Sequence, residues 1–209
     1  ALIDAIRAVH DTPGVARVRL GSLEPKIADE AFARALSELP GLARQFHLSL
    51  QSGSAGVLRR MNRRYTPEEY LAACETLRRW MPGCAVTTDV IVGFPGETEA
   101  EFAETLDFVR AARFARIHVF PYSRRPGTVA AGWKDQVKDA VKTERVARLE
   151  ALCGGLHTAF VERNRGRRSQ VLWESDEKDG MMGGYTGNYI RVERPYDPVL
   201  VNMVEDITI

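Results

Sequence analysis

The sequence is short of the residues from which metal chemistry is usually read. Cysteine occurs only three times in 209 residues, at Cys74, Cys84 and Cys153, 10 and 69 positions apart. The odd number and irregular spacing exclude a disulfide framework and match neither a zinc nor an iron–sulfur ligand pattern. No stretch approaches the roughly 18 consecutive apolar residues of a membrane helix, and the amino-terminal segment lacks the basic-then-apolar run of a secretory signal. A cytoplasmic protein without membrane contact is expected. An excess of one charge is missing too: 29 Lys and Arg against 28 Asp and Glu leave a formal charge of +1, which does not describe a strongly basic nucleic-acid binder. Basic residues cluster only locally, at Arg59, Arg60, Arg63 and Arg64 and at Arg163, Arg165, Arg167 and Arg168. What is present, 44% hydrophobic and 27% charged residues, is the composition of a folded chain with one large core and a small appendage.

Short runs rich in β-branched and aromatic residues alternate with amphipathic segments, the pattern of parallel βα units. The runs cover residues 17–20, 46–50, 86–92 and 117–120, and their starts are 29, 40 and 31 residues apart. Each interval holds one strand, one helix and two loops. Thr66-Pro67-Glu68-Glu69 and Thr98-Glu99-Ala100-Glu101 are capping boxes ahead of helices, and Asp29 is placed to cap another. Cys74 falls on the apolar face of the helix opened by Thr66, with Tyr70, Leu77 and Met81, and reads as core. A long helix is expected over 137–163, bridging two domains. Beyond Gly166, strand-like runs at 169–173, 189–192 and 198–204 separated by turn residues predict a small antiparallel barrel. The helix at 2–9 has no strand before it and the last run stops at 209 without a turn, so the sequence reads as part of a longer protein.

Parallel βα folds gather their chemistry at the carboxyl ends of the strands. After the first run comes Gly21-Ser22-Leu23-Glu24-Pro25, placing the Glu24 carboxylate where proline stops the ladder; an ordinary loop acid fits equally. After the second comes Gln51-Ser52-Gly53-Ser54, suited to hydrogen bonds with a ribose or phosphate, and Arg63 comes next as a fork for an anion. A loop amide and a surface arginine also account for them. The third run carries Asp89, a carboxylate within an apolar strand that requires a partner. It leads into Gly93-Phe94-Pro95-Gly96, a stiff turn against which a planar ligand can lie, and which is neither a Walker loop nor a dinucleotide fingerprint. The fourth ends in Phe120-Pro121-Tyr122, facing the same side.

Five phrases, RLGSLEP (19–25), SLQSGS (49–54), MNRRYT (61–66), DVIVGFPGETE (89–99) and HVFPYSRRPGT (118–128), resemble the radical S-adenosylmethionine methylthiotransferase family. GGYTGNY (183–189) resembles the small RNA-binding TRAM barrel that closes these enzymes. The resemblance covers essentially the whole chain. It implies an α/β fold with the later strands of a radical SAM (βα) barrel over residues 1–136, a connecting helix over 137–165 and a clipped TRAM-like domain over 166–209. The wording at 118–123 and 184–189 is most similar to the branch that thiomethylates threonylcarbamoyladenosine beside the tRNA anticodon. Sister branches act on isopentenyladenosine or on a ribosomal protein.

Carried over by position, Gln51 and Asp89 are similar to the groups that hold the ribose of S-adenosylmethionine, and Glu24 and Arg63 to those meeting its methionyl amine and carboxylate. Gly93, Phe94 and Pro95, with Phe120 to Tyr122, would face the adenine. The family also implies two 4Fe-4S clusters. Their CxxxCxxC loop and three further cysteines do not occur in this sequence, so an inactive C-terminal fragment is expected. For the tRNA anticodon stem-loop the candidates are Arg163, Arg165, Arg167 and Arg168, with Tyr185 and Tyr189 as stacking surfaces. The alternative is a helix end and two core tyrosines, and residues 162–209 hold seven basic against nine acidic side chains. A non-catalytic RNA-gripping module and a porphyrinogen-oxidising relative are the competing readings.

Overall fold

The computed structural model describes residues 2–209. The alternation of strands and helices produces a four-stranded parallel sheet in the order β1 (Ser22–Leu23), β2 (Gln45–Leu48), β3 (Ala85–Val92) and β4 (Arg116–Pro121). Strands adjacent in sequence are adjacent in space, as helical crossovers require. Before them lies α1 (Leu2–His10), and the crossovers are α2 (Glu30–Ser37), α3 (Ala55–Arg60) with α4 (Pro67–Trp80), and α5 (Glu99–Ala112). The starts of three helices are set by side chains that satisfy orphan backbone donors. Asp29 accepts from the Phe32 N–H at 2.8 Å, and both threonine capping boxes are formed, at Thr66 with Glu69 and at Thr98 with Glu101. Cys74 is fully buried among Tyr70 and Leu77, as its place in the helical stripe predicts.

The first strand departs from expectation. Residues 17–20 contribute one bridge, Val18 with Leu42, and ladder pairing resumes at Ser22, inside the segment read as the following loop. The side chains here reach elsewhere: Arg17 is held by the Tyr185 and Gln170 carbonyls of the carboxyl-terminal part, and Arg19 divides between the Tyr189 ring and the Gln45 amide of β2.

One face of the parallel sheet is apolar, with Phe46, Leu48, Val86, Val90 and Val92 buried. Alternate positions carry the opposite face, which is polar. There Arg19 Nε donates to Gln45 Oε1 at 3.0 Å, Gln45 Nε2 donates to Thr87 Oγ1 at 2.8 Å, and Thr87 Oγ1 lies 3.1 Å from His47 Nδ1. His47 Nε2 is then 3.3 Å from Asp89 Oδ2. Donors and acceptors run in one direction from Arg19 to Asp89 when His47 carries its proton on Nε2.

The long helix α6 (Asp139–Asn164) matches the expected span within two residues, and it packs along β4, β3 and α5. Leu149 enters the main core, while Phe160 joins Ala85, Ala115 and Ile190 in a cluster linking the parallel sheet to the carboxyl-terminal strands. Those strands form a curled antiparallel sheet in the order β7 (Arg191–Pro195), β6 (Met181–Thr186), β5 (Arg168–Lys178), β8 (Val204–Thr208), with a register shift in β5 between Trp173 and Glu177. Its edges β7 and β8 do not pair with each other, which makes a half-barrel.

Three expectations in this region are corrected. Residues 198–204 begin with a 3-10 turn at Pro198–Leu200, and the strand lies beyond it; the Asp197 carboxylate accepts from Val199 and nucleates the turn. The strand expected at 189–192 starts at Arg191 and runs to Pro195, because Tyr189 holds a left-handed φ of 68° that closes the turn before it. β6 lies where no strand is expected, because Gly183-Gly184 reads as a loop. In fact a Cβ at Gly184 would stand 2.6 Å from Val171 Cγ1 and 2.7 Å from Trp173, so glycine is what allows the two strands to pack.

Candidate functional site

At the carboxyl end of β2, Gln51 takes a left-handed backbone, φ 70°. Its N–H donates to the Asp89 carbonyl and its carbonyl accepts from the Ile91 N–H, both at 2.9 Å, so Gln51 and Asp89 are fastened side by side. A non-glycine residue in this region costs about 1 kcal/mol or more and marks a position the surroundings must hold. Tyr65 holds it from below, donating its hydroxyl to the Ser49 and Leu50 carbonyls at 2.7 and 2.8 Å. Burial pushes that phenol up to about 12.

At the end of β3 the chain turns through Gly93 and Gly96, both with positive φ. The turn is closed by Glu97, whose Oε2 accepts from the Gly93 N–H at 2.6 Å and from Arg145 Nη1 at 2.7 Å. Glu97 and Arg145 side chains are 1% and 5% exposed. Burial raises the Glu97 pKa, against the lowering effects of the Gly93 N–H and Arg145. Lys142 lies over Gly93 and donates to the Tyr122 carbonyl at 3.2 Å. The long helix therefore builds this turn from behind. Neither Arg145 nor Lys142 is marked by any local sequence pattern; Glu97 is visible only as the residue after the second glycine.

Phe94 meets Tyr122 and Trp133 edge-on, with centroids 5.2 and 5.7 Å away. The Phe94 and Tyr122 rings border a cleft of about 540 Å³ whose wall also includes Gln51, Asp89 and Phe120, with Trp133 backing Phe94. The Asp89 carboxylate is 32% exposed, reachable by a ligand and oriented by His47. The Tyr122 hydroxyl is buried with no hydrogen-bond partner, an unmet requirement on a residue lining the cleft.

Of the remaining expected cofactor residues, Gly93 and Pro95 lie in the buried turn behind Phe94. Glu24 is exposed at the end of β1, and Arg63 lines a separate cleft of about 290 Å³ with Tyr65 and Thr66. Both act electrostatically on the Tyr65 phenol, Arg63 lowering and Glu24 raising its pKa, so they lie beside the carboxyl end of β2, outside the wall of the cleft. In the carboxyl-terminal part, Tyr185 and Tyr189 stack on each other, centroids 4.7 Å apart, and the Arg19 guanidinium is 3.9 Å from the Tyr189 centroid. Arg165 is paired with Glu162 at 2.5 Å, whereas Arg163, Arg167 and Arg168 are exposed and make no ion pair among the described residues.

Residues 2–109 match the profile of the Radical SAM superfamily. The chain belongs to this superfamily. It is similar to the threonylcarbamoyladenosine tRNA methylthiotransferase MtaB of Bacillus subtilis, 41% identical over 183 residues that cover 86% of this chain and 41% of that protein. It is also similar to the tRNA-2-methylthio-N(6)-dimethylallyladenosine synthases of Maricaulis maris, 43% identical over 86% of this chain and 39% of that protein, and Salinispora arenicola, 44% identical over 86% and 37%. The chain thus spans about two fifths of the length of these relatives. Among solved structures, the radical SAM enzyme coproporphyrinogen III oxidase (HemN) of Escherichia coli superposes with a TM-score of 0.58 at 21% identity, covering 74% of this chain and 36% of that one, a likeness of fold alone.

Radical SAM proteins carry thiolate-ligated iron–sulfur clusters, and the cysteines of this radical SAM chain do not suit that task. Cys74 and Cys84 are buried, Cys153 half-buried, and burial pushes the three thiols up to about 12, 11 and 11, away from the thiolate a metal needs. They stand on α4, before β3 and on α6. Among the described residues no group of three or more His, Cys, Asp or Glu side chains is placed to hold a metal ion, and no helix is long and apolar enough to cross a membrane.

Proposed function

We propose that this chain is the cofactor-binding and RNA-facing part of a radical SAM tRNA methylthiotransferase, a transferase that places a methylthio group on C2 of a tRNA adenine. The observation that carries the reading is the cleft in which Gln51 and Asp89 are fastened side by side beneath Phe94 and Tyr122, in a chain 41–46% identical to proteins named for that activity.

In this reading the Asp89 carboxylate and the Gln51 amide hold the two ribose hydroxyls of S-adenosylmethionine, for which acceptor and donor capacity are both required. The turn at 93–95 and the backbone at 120–122 border the adenine, and Glu24 and Arg63 attract the methionyl end from the side of β1 and β2. His47 keeps the Asp89 oxygen oriented, and the Phe94 and Tyr122 rings, with Trp133 packed behind Phe94, exclude water. When bound, S-adenosylmethionine supplies hydrogen-abstracting radical chemistry. The thiols of this chain do not fit a cluster, so the chain by itself would bind the cofactor without turning over, and the two 4Fe-4S clusters would take their ligands from other cysteines of the protein.

The partner is a tRNA anticodon stem-loop, met by Arg163, Arg165, Arg167 and Arg168 and by Tyr185 and Tyr189 of a TRAM-like segment over 166–209, joined by the helix 137–165 to the barrel portion 1–136. The substrate adenosine carries an N6-threonylcarbamoyl group, as in the name of the Bacillus relative. A second reading, N6-dimethylallyladenosine, is favoured by the names of relatives at 43–44% identity. Mass analysis of tRNA nucleosides separates them: the protein containing this chain, expressed in cells lacking both marks, adds one methylthio group to threonylcarbamoyladenosine. Addition to dimethylallyladenosine selects the second reading, and addition to neither contradicts both.

A further inference from the structure

The cofactor cleft occupies the carboxyl ends of the strands. The opposite end of the parallel sheet, where the antiparallel sheet docks, carries a different concentration of chemistry. Two adjoining clefts of about 270 and 300 Å³ lie there, sharing Gly83, Asn164 and Arg167. The first is lined by Arg17, Arg44, Arg167 and Arg168, the second by Arg78, Arg113, Arg163 and Arg167. No Asp, Glu or Lys side chain lines either one.

These arginines differ from others in the chain. Arg60, Arg145 and Arg165 are each matched by a carboxylate, at 2.8, 2.7 and 2.5 Å, but none of the seven lining the two clefts forms an ion pair among the described residues. Arg78 is partly committed, since its Nη2 caps α5 through the Ala112 carbonyl, yet its Nη1 is buried with no hydrogen-bond partner. Arg167 sits above Gly83, whose left-handed φ of 81° and missing Cβ leave it that space: a Cβ would be 3.1 Å from Arg167 Nη1. Arg17, in the wall of the first cleft, is held by the Tyr185 and Gln170 carbonyls at 3.1 and 2.9 Å. Bringing seven guanidinium groups together without a carboxylate partner is unfavourable by like-charge repulsion unless an anion is bound.

We propose that this seam is a binding site for the sugar–phosphate backbone of RNA, built jointly by the barrel portion and the antiparallel sheet, with Arg44, Arg78 and Arg113 as contacts alongside Arg163, Arg167 and Arg168. The inference rests on the tRNA reading above and extends it to residues outside the carboxyl-terminal segment. Planar guanidinium forks match phosphate oxygens in pairs, and the exclusive use of arginine is the choice for that geometry. Two adjoining cationic clefts suit a ligand whose anionic group repeats. The seam and the cofactor cleft are separated by the length of β3, about 26 Å for its eight residues, a distance that a folded RNA spans and a mononucleotide does not. Binding there would anchor the stem while the target adenosine reaches the other end of the sheet.

The test is fluorescence anisotropy of a labelled anticodon stem-loop RNA titrated with the full chain at several salt concentrations. Arg44 and Arg113 make no side-chain hydrogen bond or ion pair among the described residues, so the double variant R44Q/R113Q should fold normally, which its thermal midpoint checks. The expected result is about tenfold weaker binding and a salt slope reduced by about 1.4 to 1.8, for two lost phosphate contacts. R110Q, which removes one exposed positive charge paired with Asp107, should bind within twofold of wild type. Wild-type affinity and slope in R44Q/R113Q, with RNA binding otherwise intact, would overturn the seam and leave the tRNA reading standing. Absence of RNA binding by the wild-type chain would remove both. Displacement of the RNA by polyglutamate of equal charge would assign the seam to an acidic protein and overturn the RNA proposal.

Discussion

Arg145 Nη1 stands 2.7 Å from Glu97 Oε2 with both side chains excluded from solvent, and the same carboxylate oxygen accepts from the Gly93 N–H at 2.6 Å. The long helix and the turn after β3 are thereby one unit. Removing Arg145 alone would leave a buried carboxylate without its counter-charge. We expect R145M to destabilise the chain by about 3 to 5 kcal/mol, and R145M/E97Q to recover much of that loss, measured as urea midpoints. The pH dependence has a definite sign. Burial raises the folded-state pKa of Glu97, so its contribution favours folding at low pH and is lost as pH rises through the folded pKa. That loss should be steeper in R145M than in wild type and absent once Glu97 is glutamine.

Glu101 behaves in the opposite way. Hydrogen bonds and charge from Arg60 hold it down at about 2, so its stabilising contribution is fully present above about pH 4.5 and disappears as pH falls toward 2. Acid titration of unfolding should therefore show a loss of stability in that window in wild type and a flatter curve in R60Q. An unchanged curve in R60Q would deny the pairing.

Much of this is legible in the sequence because it is local. Threonine and glutamate three residues apart announce the starts of α4 and α5, and short apolar runs announce β2, β3 and β4. Asp89 within such a run points to the site. What is hidden depends on contacts distant along the chain. Arg145 reaches Glu97 across 48 residues, and nothing in its helix distinguishes it from Arg148. The glycines of β6 resemble a loop until Trp173 and Val171 are seen to need their space. Residues 17–20 read as a strand, and only the carbonyls of Tyr185 and Gln170 explain why Arg17 leaves the ladder.

Gly93 tests the packing of the turn. A Cβ there would enter the Lys142 side chain, and φ 73° is unfavourable for any L residue. G93A should cost about 1 to 3 kcal/mol, and adding K142A should return the steric part but not the backbone part. Purely additive effects in the double-mutant cycle would contradict the contact.

Gln51 separates strain from binding. Q51G removes the left-handed penalty and should leave stability unchanged or raise it by up to about 1 kcal/mol, while Q51A retains the penalty. Both should lose affinity for S-adenosylmethionine to the same degree, because both lack the amide. If Q51G bound the cofactor as wild type does, the side chain would have no part in the site.

The assignment of the cleft is tested most directly by calorimetric titration of S-adenosylmethionine into the full chain and into D89A. Saturable one-to-one binding is expected for wild type, with a loss of about 1 to 3 kcal/mol in D89A, the range for a buried hydrogen bond to a charged group, and no change in thermal midpoint beyond about 2 °C. Equal affinity in the two proteins, or no binding by the folded wild-type chain, would contradict it.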